Sequence, residues 1–458
     1  MPSRRDQVQA QSIVQNRMVC ALVSADPDAA DNPHRPLGTG TIGGLLVATL
    51  IIVGFAVYGY LRPGGSTKWQ TPGALVVEKE TGSRYVYVQG RLRPILNYAS
   101  ARLLLGAEAK TVTVSAKSLA TAPHGQPVGI PGAPDSLPTA AAGSSVWSVC
   151  APVAVNRVGR QDTATTLSIT SKPAGTPLPA GRAVLVSAGG EQYLILDGRR
   201  LRLGAPWIAR ILGADRAATP VPVNWLRIVP AGPDLVAPPP GRRGSAGPVI
   251  DGVRRKVGDL FLVRGTGDTV RHYQLRSDGL AVLNPLQYAL ARFDPAGLRG
   301  GRPPEPVEMT PAALNAVRSA PAVATDQVPA AVPVLAEEPP DGTAWCVRQS
   351  MDGAPPAMTV DRPAPPVDAV VDGYQLSRTD RTANAVSVSA GQGGLFAAGR
   401  FGQPAGPGWF VVTDAGVKYP MADAATAERL GFAGGPRTAP PELLDLLPTG
   451  PRLGAGAG

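Results

Sequence analysis

The sequence predicts an α+β protein: a single N-terminal transmembrane helix, then an elongated, pseudo-twofold extracytoplasmic body of repeated β-hairpin/helix units. Three observations predict this fold class. One uncharged apolar run, Thr41–Leu61, is long enough to cross a bilayer. Hairpin-and-helix units recur in the rest of the chain at constant spacing, and Cys150 and Cys346 lie in similar strands of its two halves. The units are therefore expected to surround a central disulfide-linked domain.

The head, residues 1–40, has a helical stripe of apolar side chains. These side chains are spaced by three or four positions, as on one face of a helix, and the pattern ends at Asp26–Pro27. The stripe consists of Ala10, Ile13, Val14, Met18, Ala21 and Leu22. We expect a short amphipathic helix that docks on the cytosolic domain of another protein. Binding to the lipid surface, or a frayed tail, are the alternatives.

The apolar run at residues 41–61 is predicted to span the membrane. At about 1.5 Å of helical rise per residue it covers roughly 30 Å, the thickness of the hydrocarbon core. Arg62–Pro63 follow it without an A-x-A cleavage site, which favours an uncleaved signal anchor over a cleaved leader. A buried helix of a soluble domain is the alternative, although such helices are usually shorter and have a polar face.

Cysteine usage indicates which side of the membrane each part occupies. Cys20 is alone in the head, whereas Cys150 and Cys346 are both in the body, at residues 62–458. If the body lies outside the membrane and the head inside, only the cysteine pair of the body is in an oxidising compartment, and the single thiol of the head stays reduced. A bond between the pair would stabilise the fold by roughly 5 kcal/mol on the chain-entropy model. Two free buried thiols are the alternative.

Four segments of the body share a strand, a glycine turn and a short helical stretch, each preceded by another strand. These are read as β-hairpins followed by a helix. The units lie near 74–106, 184–213, 259–293 and 395–431, and the cysteine strands near 145–170 and 343–360.

The spacing of the units predicts a duplication. Gly198 and Gly416 are 218 positions apart, and so are Gly213 and Gly431, and Pro230 and Pro448. Gly90 and Gly279 are 189 positions apart, and the two body cysteines 196. The body is therefore expected to consist of two similar halves, with the cysteine strands meeting at the centre.

Charge limits the choice of partners only slightly. The formal charge of +10 belongs to the body, because the four arginines of the head are balanced by four aspartates. A basic outward body could bind anionic envelope polymers or lipid headgroups. The basic residues are scattered, however, so solubilisation of the surface is the preferred interpretation, and no nucleic-acid partner is expected.

The sequence predicts no catalytic, cofactor-binding or metal-binding residues. The one G-x-G-x-x-G, Gly38–Gly43, opens the apolar run with no strand before it, and no G-x-x-x-x-G-K-[ST] is present. His34, His124 and His272 are isolated, and neither H-E-x-x-H nor C-x-x-C occurs. A carboxylate pair or a serine nucleophile assembled in space remains an alternative.

Several motifs, in order along nearly the whole chain, resemble those of the EccB family of actinobacterial type VII (ESX) secretion systems. They are PGGSTKW (63–69), TGSRYVY (81–87), RPILNYASARLLLG (93–106), GIPGAPDSLP (129–138), VWSVC (146–150), TAWCVRQ (343–349) and PPELLDLLPTGP (440–451).

The resemblance implies a structural core subunit of an inner-membrane protein-export complex, with EccC, EccD, EccE and the protease MycP as partners. It implies a cytosolic head, a periplasmic body through which copies associate, and a disulfide between Cys150 and Cys346. Some family members are called ATPases, which keeps an ATPase-type enzyme, beside an envelope-binding module, as the alternative function.

Overall fold

The computed structural model describes residues 3–25, 27–28, 34–61, 65–139, 146–155, 161–172, 174–214, 217–265, 267, 269–322, 328–363, 376–404 and 406–454. Arg62 and Pro63, and residues 145 and 156–160 of the first predicted cysteine segment, lie outside this part of the chain. The described residues divide into two units. One contains residues up to Leu92 with Thr111–Gly125, and the other Arg93–Lys110 with the residues from Gln126 onward.

The helices of the described residues are long in the head and the apolar run and short elsewhere. They are α1 Arg4–Ser24, α2 His34–Leu61, α3 Tyr98–Leu105, α4 Ala116–Leu119, α5 Trp207–Ile211, α6 Val223–Ile228, α7 Pro285–Phe293, α8 Pro311–Ala316, α9 Ala424–Leu430 and α10 Pro441–Leu444. Short 3-10 turns lie at Lys68–Gln70 and Pro295–Gly297.

The strands are mostly short, as the many glycines and prolines favour. The first half of the chain has β1 Leu75–Glu78, β2 Arg84–Val88, β3 Arg91–Pro94, β4 Thr111–Val114, β5 Val146–Ala151, β6 Val153–Val155, β7 Gln161–Thr163, β8 Thr166–Thr170, β9 Thr176–Pro177, β10 Arg182–Ala188, β11 Glu191–Leu196, β12 Arg199–Arg202 and β13 Thr219–Pro220. The second half has β14 Ala246–Ile250, β15 Val253–Lys256, β16 Leu260–Arg264, β17 Val270–Arg276, β18 Gly279–Leu283, β19 Val307–Glu308, β20 Val334–Leu335, β21 Ala344–Ser350, β22 Ala357–Asp361, β23 Ala385–Val388, β24 Gly394–Ala398, β25 Trp409–Val412, β26 Lys418–Pro420 and β27 Arg437–Ala439.

Four sheets share one topology. In each, the third strand in sequence pairs with the second, the second with the first and the first with the fourth. The sheets are β3-β2-β1-β4, β12-β11-β10-β13, β18-β17-β16-β19 and β26-β25-β24-β27. We call these sheets, each with the helix before its fourth strand and the helix after it, repeats 1 to 4. Each repeat thus continues past the hairpin and first helix seen in the sequence, to a parallel fourth strand and a second helix.

The hairpin turns explain the regular glycines. Asp197 and Gly198, between β11 and β12, have φ values of 47° and 71°, and Gln89 and Gly90 of repeat 1 have 53° and 76°. Two consecutive residues with positive φ give the tight turn that suits the twist of a two-residue hairpin, and glycine adopts such φ values without steric cost.

Three of the four helices that follow the hairpins, α3, α7 and α9, begin at side-chain caps. Asn97 accepts a hydrogen bond from the backbone N–H of Ser100, Asn284 from that of Gln287, and Asp423 from that of Thr426. Each cap satisfies an N–H in the first turn of the helix, so a helix of only seven to nine residues is stabilised where it starts.

A six-stranded sheet joins the two halves of the chain, in the order β23-β8-β5-β21-β22-β9. Strands β5 and β21 pair antiparallel at its centre, and β23 pairs parallel with β8 although about 220 residues separate them. Two further two-stranded ribbons, β6–β7 and β14–β15, lie outside the larger sheets. We call the six-stranded sheet the central sheet.

Candidate functional site

The two body cysteines lie directly opposite each other at the centre of the central sheet. Cys150 of β5 pairs with Cys346 of β21, their Cα atoms are 4.0 Å apart, and the two side chains form a disulfide. Both residues are buried, with 2% and 0% of their surface exposed. The bond therefore connects segments 196 residues apart in the chain, inside the sheet that joins its two halves.

One face of the central sheet forms the largest apolar core. Trp147, Val149 and Trp345 of this face are buried together with side chains of repeats 2 and 4. The Trp225 indole N–H of α6 donates to the carbonyl of Val149 at 2.9 Å, and the rings of Trp147 and Phe396 meet edge to face at 5.4 Å. Repeats 2 and 4 are therefore both held against the sheet that contains the disulfide.

Repeats 2 and 4 repeat the same cation-to-carbonyl contact. The Arg200 guanidinium donates to the carbonyl of Leu226 at 2.7 Å, and the Lys418 ammonium donates to the carbonyl of Leu444 at 2.6 Å. Both donors and both acceptors are 218 positions apart, the spacing of the glycine landmarks. Each cation lies at the carboxyl end of its repeat's second helix, where the carbonyls carry partial negative charge.

Lys418 is more deeply buried than Arg200. It is 8% exposed, and its ammonium group lies 3.9 Å from Asp445 and 5.7 Å from the centre of the Phe410 ring. Burial lowers the pKa of Lys418 below its ordinary value, while the nearby Asp445 carboxylate opposes that shift. Burial also raises the pKa of its neighbour Tyr419 to about 12.

Two helix contacts repeat in the same way. Helix α3 of repeat 1 packs on α9 of repeat 4, and Arg429 donates to the carbonyl of Leu103 at 3.1 Å. Helix α7 of repeat 3 packs on α5 of repeat 2, with Leu286 and Leu290 buried in the core of repeat 2. The first helices of the odd-numbered repeats thus pack on those of the even-numbered repeats.

Helix α2 contains the predicted membrane span. Residues Thr39–Tyr60 have a mean hydropathy of 2.3, and none of this segment is buried by the rest of the chain. The helix begins at His34, before the apolar run. Within the described residues it is the one helix long and apolar enough to cross a bilayer, and it includes the backbone of Gly38–Gly43, so this motif is a helical turn and not a strand-to-helix loop.

The remaining residues noted in the sequence are dispersed. Cys20 of α1 is a free, buried thiol. The ring of His124 meets Tyr85 edge to face at 5.9 Å, and His272 stacks on Tyr288 at 3.9 Å, where burial lowers the pKa of the histidine. The side chain of His34 is outside the described part. No three His, Cys, Asp or Glu side chains of the described residues are grouped so that they could hold a metal ion.

Sequence reasoning missed the Arg200 and Lys418 contacts. The signal was present, because the two cations are separated by the same 218 positions as the glycine landmarks. Arg200 is the second residue of β12, and Lys418 is the first residue of β26. The partner carbonyls could not be predicted, since any residue can supply one.

These features define a class: in the described residues, one helix long and apolar enough to cross a membrane and a disulfide-linked body built from four copies of one β-hairpin/helix repeat. The sequence matches, over residues 1–457, the family described as Type VII secretion system ESX-1, transport TM domain B. The chain belongs to this family, the EccB proteins of type VII secretion systems.

Relatives and solved structures cover nearly the whole chain. The ESX-1 secretion system ATPase EccB1 of Mycobacterium tuberculosis (strain ATCC 25618 / H37Rv) is 28% identical over 98% of this chain and 93% of its own length. The ESX-3 secretion system ATPase EccB3 of Mycolicibacterium smegmatis (strain ATCC 700084 / mc(2)155) is 27% identical over 99% of this chain and 89% of its own.

The solved structures agree in fold. A chain of the EccB3 dimer from the ESX-3 core complex superposes with a TM-score of 0.64 at 26% identity, over 84% of this chain and 99% of that one. A chain of an intact ESX-5 inner membrane complex gives a TM-score of 0.66 at 23% identity, over all of this chain and 95% of that one. The α+β fold with one N-terminal apolar helix, many small sheets and a disulfide is confirmed, as is the resemblance to EccB.

Proposed function

We propose that this chain is a structural core subunit of a type VII (ESX) secretion complex in the inner membrane. Helix α2 anchors it, and the body associates with other copies and stabilises the export assembly. The observation that carries the proposal is the combination of an apolar helix that no described residue buries and a disulfide-linked body of repeats. It is supported by similarity to chains from an ESX-5 inner membrane complex and an EccB3 dimer.

In the proposed topology, residues 1–40 are cytosolic, residues 41–61 cross the membrane and residues 62–458 are periplasmic. A buried disulfide in the body and a free thiol at Cys20 in the head support this orientation, because disulfides persist in oxidising compartments and are rare in the cytosol. A periplasmic reporter enzyme fused after residue 458 should be active. Activity of only a cytosolic reporter at that position would contradict the orientation.

The proposed partners are EccC, EccD, EccE and a MycP-type protease, together with further copies of this chain. Affinity isolation of the tagged full-length chain from detergent extracts of its own cells, followed by mass spectrometry, tests the assignment. We expect these subunits to co-purify, and a chain lacking residues 34–61 to lose the membrane-embedded ones. If the chain purifies alone, and its deletion leaves the other subunits assembled, the scaffold function is wrong.

A second candidate function follows from the names of the relatives, which call those proteins ATPases. In this chain the phosphate-binding G-x-x-x-x-G-K-[ST] sequence is absent. Nucleotide hydrolysis by the purified full-length chain, abolished by one point substitution and retained in a variant of equal stability, would favour the enzyme over the scaffold.

A further inference from the structure

The ribbon β14–β15 is an addition to repeat 3 that pairs with none of the larger sheets. Its inner face packs on the core of the repeat through Ile250, which is 2% exposed. A two-stranded ribbon is marginally stable by itself, so this packing fixes its position. The other face is directed away from the core of the repeat.

That outer face combines apolar and basic side chains. Val249 and Arg254 are cross-strand partners and therefore share a face, as do Ala246 and Lys256. Val249 is 56% exposed. Val253 pairs with Ile250 and therefore lies on the other face of the ribbon.

Arg254 and Lys256 are exposed as well, and neither has an acidic partner among the described residues. Val249, Arg254 and Lys256 are called the basic hairpin.

A second surface of the same chain has the opposite charge and a similar apolar content. On β20 and the residues before it, Val332 and Val334 are 39% and 58% exposed. Glu337, Glu338 and Asp341 follow them and are exposed too. We call this surface, residues 332–341, the acidic segment.

The acidic segment borders a recess. Residues from Val332 to Glu338 line a cavity of about 450 Å³ beside β10. No ion pair of the described residues connects Glu337 or Asp341 to a cation. The segment therefore offers exposed valines, a recess and the carboxylates of Glu337 and Asp341 to a partner.

We propose that the basic hairpin of one copy binds the acidic segment of a second copy. The basic hairpin has one exposed valine and the acidic segment has two, each beside charges of one sign. The signs are opposite, so the contact buries apolar side chains and pairs charges together. A twofold axis makes the contact twice, hairpin to segment and segment to hairpin, which closes the dimer. This inference rests on the self-association in the proposed function and assigns a surface to it.

Two differently tagged full-length copies, co-expressed and isolated in detergent through one tag, test the proposal. R254E/K256E in both copies should lower recovery of the second tag, and so should E337K/D341K in both copies, each by roughly tenfold. In a mixed pair of one R254E/K256E copy and one E337K/D341K copy, one contact keeps its wild-type charges and the other has its charges exchanged. Both contacts then join opposite charges, so the mixed pair should recover most of the loss. R199E/R400E, which reverses two exposed arginines elsewhere, is the control for net charge.

The outcomes separate this surface from the proposed function. If wild-type copies do not co-isolate, self-association fails and this inference fails with it. If they co-isolate and all variants do so equally, self-association stands and the surface is wrong. If each double variant loses association but the mixed pair recovers nothing, the basic hairpin binds some other acidic partner, and the pairing is overturned. Equal thermal midpoints for all variants will show that they are folded.

Discussion

Repeats 2 and 4 occupy equivalent places in the two halves of the chain but differ in the side chains around one shared contact. In both, a cation of the hairpin reaches the last carbonyls of the second helix, Arg200 in one and Lys418 in the other. Around it, Asn224 and Arg227 of repeat 2 correspond, at the same 218-residue spacing, to Glu442 and Asp445 of repeat 4.

These residues, with Arg381, line a cleft of about 270 Å³ between α6 and α10. The hydrogen bond from the cation to the helix carbonyl is present in both repeats. The positions around it differ: they are cationic or neutral in repeat 2 and acidic in repeat 4. The difference indicates that the fold of a repeat constrains its buried contacts, whereas the side chains that line the cleft vary with the repeat packed beside them.

The largest expected effect concerns the sheet on which both repeats pack. C150A/C346A should lower the free energy of unfolding by about 2–5 kcal/mol, because the unfolded chain regains the freedom of a loop that spans both halves. Denaturant unfolding of the full-length chain in detergent measures it, with C20S as the control that should change nothing. Equal midpoints for wild type and the double variant would mean that the central sheet holds the repeats without its disulfide.

The next effect separates the two equivalent cations. K418M removes the ammonium donor from the buried carbonyl of Leu444, which still accepts from the backbone N–H of Leu447, and should destabilise the chain by about 1–3 kcal/mol. R200M should cost less, about 0.5–1.5 kcal/mol, because Arg200 is only half-buried and water can replace it. R199M, at the exposed neighbour, should fall within about 0.5 kcal/mol of wild type. A larger loss in R200M than in K418M would reverse the comparison.

Local patterns predicted the part of each repeat that is local in sequence. Alternating apolar residues before a glycine marked the hairpins, and the constant offsets revealed the duplication. The fourth strand gave no such signal: β13 is two residues long, contains Pro220 and pairs with a strand about 30 positions earlier. The position of β13 is fixed by its pairing with β10, and a short window of sequence does not contain both strands.

The central sheet shows the same limit. Both cysteine strands were recognisable from their tryptophans and valines, and the resemblance to EccB implied the pairing of Cys150 with Cys346. The parallel pairing of Ala385 with Thr166 was not predictable, because it depends on how the two halves fold around β5 and β21. The hydrogen bond from Arg200 was missed for a related reason, because its acceptor is a backbone carbonyl, which has no sequence signature.

Equivalent turn glycines should also differ between the two repeats. Gly198 and Gly416 have φ values of 71° and 74°, so alanine is strained at both, by about 1–2 kcal/mol. At Gly198 a Cβ would also lie 2.6 Å from the backbone oxygen of Pro356, whereas at Gly416 it would lie 3.0 Å from a side-chain carbon of Val386, which can move. G198A should therefore unfold at lower denaturant than G416A, and the opposite order would show that the Pro356 loop yields more easily than Val386.

The smallest expected effect concerns the partly exposed side chains that line the cleft between α6 and α10. The Asp445 carboxylate accepts from the Arg381 guanidinium at 3.0 Å, with 39% and 54% of the two side chains exposed, so D445N should cost less than about 1 kcal/mol. Because ions screen an exposed pair, the part of this loss that comes from Arg381 should disappear at about 1 M salt, whereas the part that comes from the buried Lys418 ammonium, 3.9 Å from Asp445, should remain. Arg227, the equivalent residue of repeat 2, has no acidic partner among the described residues, and R227Q should leave the unfolding midpoint unchanged at either salt concentration. If R227Q and D445N lower the free energy of unfolding equally, the cleft-lining side chains of repeats 2 and 4 contribute equally to stability. The difference inferred from their charges is then wrong.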